Sequence, residues 1–279
     1  PGRINFHGNN KSEIELQEAI EYGIGTITID SFHEINLLEK ILKKKSKIQK
    51  VMIRVSPSID PHTHLLTTTG ILDSKFGFSI ETGDAEEAIK RVLKINSLEL
   101  LGVHFHLGSP IFELDPYVQA IEYVIDFCAK MRDSYGFKLS RFSPGGGFAI
   151  GYLSTQLPPN ISEYAKVISD SLLESCEKYN FNPPELIVEP GRAIVGRSGV
   201  AIYTVGSIKE IPGIRTYVSV DGGMGDNIRP AIYGSEYSVI AIEKINQENN
   251  NKVTISGKFC ESGDILAKDV LLPDLTSGD

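Results

Sequence analysis

Short apolar segments alternate with longer helical patterns from the first residues to about residue 195, and this alternation constrains the fold more than any other feature of the chain. The apolar segments are residues 4–6, 26–30, 51–55, 100–106, 140–143 and 186–188; helical patterns occupy 12–22, 33–45, 84–93, 116–135 and 161–179. Ser12 followed by Glu15 reads as a capping box opening the first helix. Strands that are apolar throughout, each followed by a helix, imply a parallel sheet covered on both faces. Six such units fit before residue 195, whereas a closed barrel of this kind needs eight. The alternatives are an open doubly wound sheet and an incomplete barrel. The second is favoured because polar clusters at successive strand ends converge on one site.

Beyond Gly199 the pattern changes. Residues 200–208, 217–221, 238–243 and 252–256 read as strands without intervening helices, and the polar tract 246–251 reads as a hairpin loop. The expected organisation is a βα domain over 1–198 and a mostly antiparallel β domain over 199–279. A net charge of −8 with no basic stripe argues against a nucleic-acid partner. No apolar run is long enough to span a bilayer as a helix, and the first residues lack the shape of a signal peptide. Cys128, Cys176 and Cys260 form neither a pairable nor a metal-spaced set, which suits a reducing cytosol.

The chemistry sits at strand ends. Glu189-Pro190-Gly191-Arg192 closes an apolar strand with a carboxylate, a glycine that admits close backbone approach, and a guanidinium fork suited to phosphate. Pyridoxal phosphate wants all of these: a phosphate grip at one end and an acceptor for its ring nitrogen at the other. His104 and His106 are two apart and share a strand face. An inward His-x-His pair binds a metal or stacks against an aromatic cofactor. The metal reading lacks further histidines, since all six lie at or before residue 106. Ser109 and the glycines Gly145-Gly146-Gly147 add backbone and hydroxyl donors for an anion. In the second domain Arg229 and Tyr233, four apart, can grip a carboxylate. Cys260 beside Glu261 can donate a proton while its neighbour binds an amine.

The order of these motifs resembles the diaminopimelate decarboxylases, fold-type III pyridoxal-phosphate enzymes related to ornithine and arginine decarboxylases. Matching residues are Phe6-His7-Gly8-Asn9-Asn10-Lys11-Ser12, Thr69-Gly70 with Ser74-Lys75-Phe76-Gly77, and Gly102 to Ser109. They continue through Gly145-Gly146-Gly147-Phe148, Glu189 to Arg192, Arg229-Pro230 with Tyr233, and Cys260-Glu261-Ser262. The resemblance implies an incomplete TIM-type (β/α)8 barrel of alanine racemase type, followed by a partial antiparallel β domain. It implies that His106 stacks on the pyridine ring, that Glu189 pairs with its nitrogen, and that Ser109, Gly147, Pro190, Gly191 and Arg192 surround the phosphate end. Arg192, Arg229, Tyr233 and Glu261 would contact the substrate, and Cys260 would protonate the carbanion, offered across a homodimer interface. The implied reaction is decarboxylation of meso-diaminopimelate to lysine in the cytoplasm. Alternatives are a same-fold decarboxylase for ornithine, arginine or carboxynorspermidine, a non-catalytic homologue, and a metal-dependent hydrolase. The family's Schiff-base lysine on the first barrel strand has no match here, and Lys11 and Lys75 belong to other motifs. The chain is therefore expected to lack both ends of the family's length and to be inactive alone.

Overall fold

A computed structural model of the protein describes residues 1–60 and 73–279; Thr69 and Gly70 lie outside them. The chain divides into two compact units, Pro1–Ala149 with Pro158–Ile194, and Ile150–Leu157 with Val195–Asp279.

The first unit is built on parallel strands β1 (Asn5–Phe6), β2 (Thr26–Ile29), β3 (Gln49–Ser56), β4 (Phe78–Ser79), β5 (Leu98–His104), β6 (Arg141–Gly146) and β7 (Glu185–Glu189). Their order is β1-β2-β3-β5-β6-β7, with the short β4 pairing onto β3. Helices α1 (Glu13–Tyr22), α2 (Phe32–Lys45), α3 (Asp84–Leu93), α4 (Asp115–Tyr135) and α5 (Ile161–Lys178) make the crossovers that parallel pairing requires. This is the wall of an incomplete TIM-type barrel, as the alternation predicts. Central strand residues such as Ile27, Ile29, Val51, Ile53 and Val103 are fully buried, and the inward stripes of the helices, Leu38 and Ile121 among them, pack onto them in one core. The local signals hold in detail: Ser12 Oγ accepts from the Glu15 amide, and Glu15 Oε2 accepts from the Ser12 amide at 2.8 Å. Lys43, Lys44 and Lys45 close α2, where cations favour the helix dipole. Cys128 and Cys176 are buried in α4 and α5.

The second unit has its own small core around Val218, Val220, Val253 and Ile255. Its strands β8 (Val205–Ile211), β9 (Arg215–Val220), β10 (Asn251–Ser256) and β11 (Ile265–Leu272) run in the order β11-β10-β9-β8. The outer pairs are antiparallel and the central β9–β10 pair is parallel. That parallel pair corrects two expectations. A parallel connection must cross back along the sheet, so residues 221–250 carry the chain through a short helix α6, Arg229–Tyr233, and a 3-10 turn, Ile242–Lys244. Residues 238–243 are therefore not a strand, and 246–251 lead into β10 instead of closing a hairpin. Among the described residues no helix is long and apolar enough to cross a membrane.

Candidate active site

Parallel pairing puts the carboxyl ends of the first unit's strands at one edge, where barrel and open α/β folds bind ligands. His7 follows β1, Arg54 lies near the end of β3, His104 ends β5, Gly145 and Gly146 end β6, and Glu189 ends β7. Register fixes the neighbours: Arg54 pairs beside His104, His104 beside Ser143, and Gly146 beside Glu189. His7, Arg54, His104, His106 and Glu189 share one cavity of about 450 Å3.

Glu189 is the electrostatic centre of this cavity. Its Oε1 lies 3.0 Å from His104 Nε2 and 3.4 Å from His7 Nε2. The atoms approach without hydrogen-bond alignment, so among the described residues Glu189 Oε1 and both ring nitrogens of His104 stay buried without a hydrogen-bond partner. Burial alone would raise the Glu189 carboxyl, but the imidazoles around it, His104 first, outweigh burial and hold it at about 2. Burial, reinforced by His104, pushes His106 down to about 4 from an ordinary 6.5. Its ring is also oriented: Nδ1 accepts the Gly146 amide at 3.1 Å, which leaves the proton of the neutral ring on Nε2. His7 falls to about 4 for the same reasons, burial first and then His104.

A second cluster fits an anion. Arg192 donates from Nε (3.2 Å) and Nη2 (3.1 Å) to Ser109 Oγ. Gly147 has φ +100°, and a Cβ there would stand 2.2 Å from the Gly108 carbonyl oxygen, so only glycine lets the triplet lie this close to the Ser109 loop. The Tyr117 hydroxyl donates to the Gly146 carbonyl at 2.7 Å and braces the turn from below. Pro190 is half-buried, and Gly191 opens a one-turn helix, Gly191–Val195, with open space beside its Cα. Lys11, set aside as a covalent anchor by its motif, is committed elsewhere: it is buried, 2.9 Å from Glu34 Oε1, and it donates to the carbonyls of Gly8 (2.5 Å) and Thr28 (2.8 Å).

In the second unit the Arg229 guanidinium lies 5.0 Å from the Tyr233 ring centre, and its Nε donates to the Tyr237 hydroxyl at 3.1 Å. Cys260 and Glu261 are exposed on the turn between β10 and β11. Buried Asp264 fixes that turn, accepting from the amides of Met224 (2.6 Å) and Phe259 (2.8 Å).

Sequence reasoning missed His7, Arg54 and Asp264 as site or site-forming residues. His7 carried one usable signal: it stands just past a strand end, as His104 stands at one. The residues fit pyridoxal phosphate. Glu189 Oε1 is a buried, ionised acceptor in need of a donor, as a protonated ring nitrogen would be. The Ser109–Arg192 pair and the glycine turn suit its phosphate.

The family model described as "Pyridoxal-dependent decarboxylase, pyridoxal binding domain" matches residues 1–196. The diaminopimelate decarboxylase of Bacillus subtilis is 46% identical over 277 residues, covering 99% of this chain and 63% of the relative. That of Synechocystis is 44% identical, with 99% of this chain and 58% of the relative covered. Among solved structures, diaminopimelate decarboxylase from M. jannaschii superposes with a TM-score of 0.89 at 32% identity, over 100% of this chain and 63% of that one. The Helicobacter pylori enzyme complexed with L-lysine gives 0.86 at 32% identity, over 100% of this chain and 66% of that one. The chain thus spans about 63% of the length of the B. subtilis relative.

Proposed function

The chain belongs to the pyridoxal-dependent decarboxylases, and on that premise we propose that the protein it represents is a diaminopimelate decarboxylase, releasing carbon dioxide from meso-diaminopimelate to leave L-lysine. The observation that carries the decarboxylase reading is the ionised Glu189 carboxylate facing the same cavity as the neutral His106 ring. The choice of substrate is supported by the B. subtilis and Synechocystis relatives, 46% and 44% identical, both diaminopimelate decarboxylases.

Bound pyridoxal phosphate supplies an electron sink, a protonated pyridine ring that accepts the electron pair of the breaking C–C bond. Glu189 keeps the proton on the ring nitrogen, because a carboxylate held at about 2 stays charged at every working pH. His106 offers a flat, uncharged face for stacking, with its plane set by the Gly146 amide. Ser109, Gly147, Gly191 and Arg192 hold the phosphate. Arg229 and Tyr233 bind a substrate carboxylate, Glu261 binds the distal ammonium, and the Cys260 thiol delivers a proton to the carbon that has lost carbon dioxide. We assign Cys260 to the site of a neighbouring protomer in a homodimer, and the protein to the cytoplasm.

The test is carbon dioxide release by the full-length protein supplied with pyridoxal phosphate. Release from meso-diaminopimelate and not from ornithine is expected; release from ornithine alone refutes the substrate assignment, and release from neither refutes the enzyme.

A further inference from the structure

Sequence reasoning weighs a metal on His104 and His106 and finds too few partners. The structure gathers a different set: His7, His104 and Glu189 each present one donor atom, all within 4.8 Å of one another. Glu189 Oε1 sits between the two Nε2 atoms, at 3.0 Å from His104 and 3.4 Å from His7. Donors bound to one zinc-like ion at about 2.0–2.1 Å lie roughly 3.3 Å apart in tetrahedral geometry, so both carboxylate spacings already match. The His7–His104 separation closes by a swing of the His7 ring, which stands outside the strand and is about one-third exposed (32%). His104 is 1% exposed, and among the described residues neither of its ring nitrogens has a hydrogen-bond partner.

We propose that, when the organic cofactor is absent, His7, His104 and Glu189 bind a divalent transition-metal ion of the zinc class. Two imidazoles and a carboxylate are a donor set for borderline cations and not for magnesium or calcium. The cavity leaves the remaining coordination position open, as in catalytic and exchangeable sites. Arg54, whose positive charge also acts on Glu189, opposes the cation and keeps the site weaker than a closed structural one. Metal and cofactor exclude each other, because a ring nitrogen paired with Glu189 takes the oxygen the metal needs. The competition rests on the decarboxylase reading; the metal site does not.

The full-length protein, stripped of pyridoxal phosphate, is titrated with Co2+ alone and followed by its visible absorption, and Zn2+ is then added. One Co2+ per chain is expected, with the strong visible bands of a low-coordinate site that Zn2+ abolishes. Partners that merely orient ligands are worth 10–100-fold in affinity, so losing a direct ligand in His7→Gln should weaken binding by about a hundredfold or more. His7 lies outside the strand, so the variant's far-UV circular dichroism should match the parent's. Protein preloaded with pyridoxal phosphate, verified by the cofactor's own absorption, should bind no Co2+ at this site. Sub-stoichiometric or six-coordinate cobalt, undiminished binding in His7→Gln, or cobalt held alongside bound cofactor each overturns the proposal. The cobalt signal needs no cofactor, so its failure is distinct from failure of the decarboxylase reading.

Discussion

Replacing Lys11 by methionine should destabilise the first unit more than any surface change, and should do so in a pH-dependent way. The side chains of Lys11 and Glu34 are 2% and 5% exposed, with their charged atoms 2.9 Å apart. Methionine keeps most of the stem's volume and removes only the ammonium. Removing one partner of a buried ion pair costs about 3–5 kcal/mol. The carbonyls of Gly8 and Thr28 lose their donor as well, at about 1 kcal/mol each. Glu34 can escape part of this by taking up a proton. Burial already raises its pKa above the ordinary 4.5, with Lys11 the chief opposing influence; deleting Lys11 raises it further. A carboxyl whose folded pKa exceeds its unfolded one binds a proton in the native state that the unfolded chain has released. Stability is therefore gained toward low pH and lost as pH rises through the folded value. The deficit of Lys11→Met, read from urea unfolding by far-UV circular dichroism, should be several kcal/mol at neutral pH and shrink toward pH ~5. Adding Glu34→Leu should recover most of it, since an apolar pair of similar volume is often as stable as a buried ion pair. A deficit below about 1 kcal/mol, one equal at both pH values, or a double variant no better than the single would refute the reasoning.

Two further outcomes follow from the site. Gly147→Ala should cost about 2–4 kcal/mol, from positive φ and a Cβ driven onto backbone, whereas Gly191→Ala, which meets open space, should be nearly neutral. Thermal melting reads both, and equal losses of stability at the two positions would contradict the close-approach argument. Acid should weaken the fold in two stages. His7 and His106, lowered to about 4 from 6.5, take up fewer protons folded than unfolded, so stability falls as pH drops through that window. Glu189, lowered from 4.5 to about 2, continues the loss below it. A urea midpoint that stays flat from neutral pH down to about 4 would show that the imidazoles are not buried neutral.

The first unit was legible because its signals are local and mutually consistent. The helices fall within a residue or so of their predicted bounds, since caps such as Ser12 and Gly23 coincide with the ends of the apolar stripes. The second unit was harder for a physical reason that β11 displays. Its partner β10 advances two residues from Val253 to Ile255 while β11 moves three, from Val270 to Ala267. The extra residue is a bulge with Asp269 at φ +56°, its amide donating to Thr254 Oγ1. A bulge flips the alternation of in and out, so residues 265–272 do not read as a strand from periodicity.

The site divides along the same line. Glu189, Arg192, Ser109 and Gly147 could be picked out because each stands in a run whose composition is chemically unusual. His7 stood in a matched motif but its place beside the carboxylate could not be read, because it depends on strands far apart in sequence, and not adjacent in the sheet, ending at one edge. Only the order β1-β2-β3-β5-β6-β7 brings residues 7, 104 and 189 to a single carboxylate oxygen. The ionisation of that oxygen is likewise a property of the assembly: in isolation a half-buried glutamate at a strand end would be raised by desolvation, and the surrounding imidazoles reverse the sign. A motif reading can therefore name the acceptor for a ring nitrogen, but the charge that makes it an acceptor comes from residues that no local pattern connects to it.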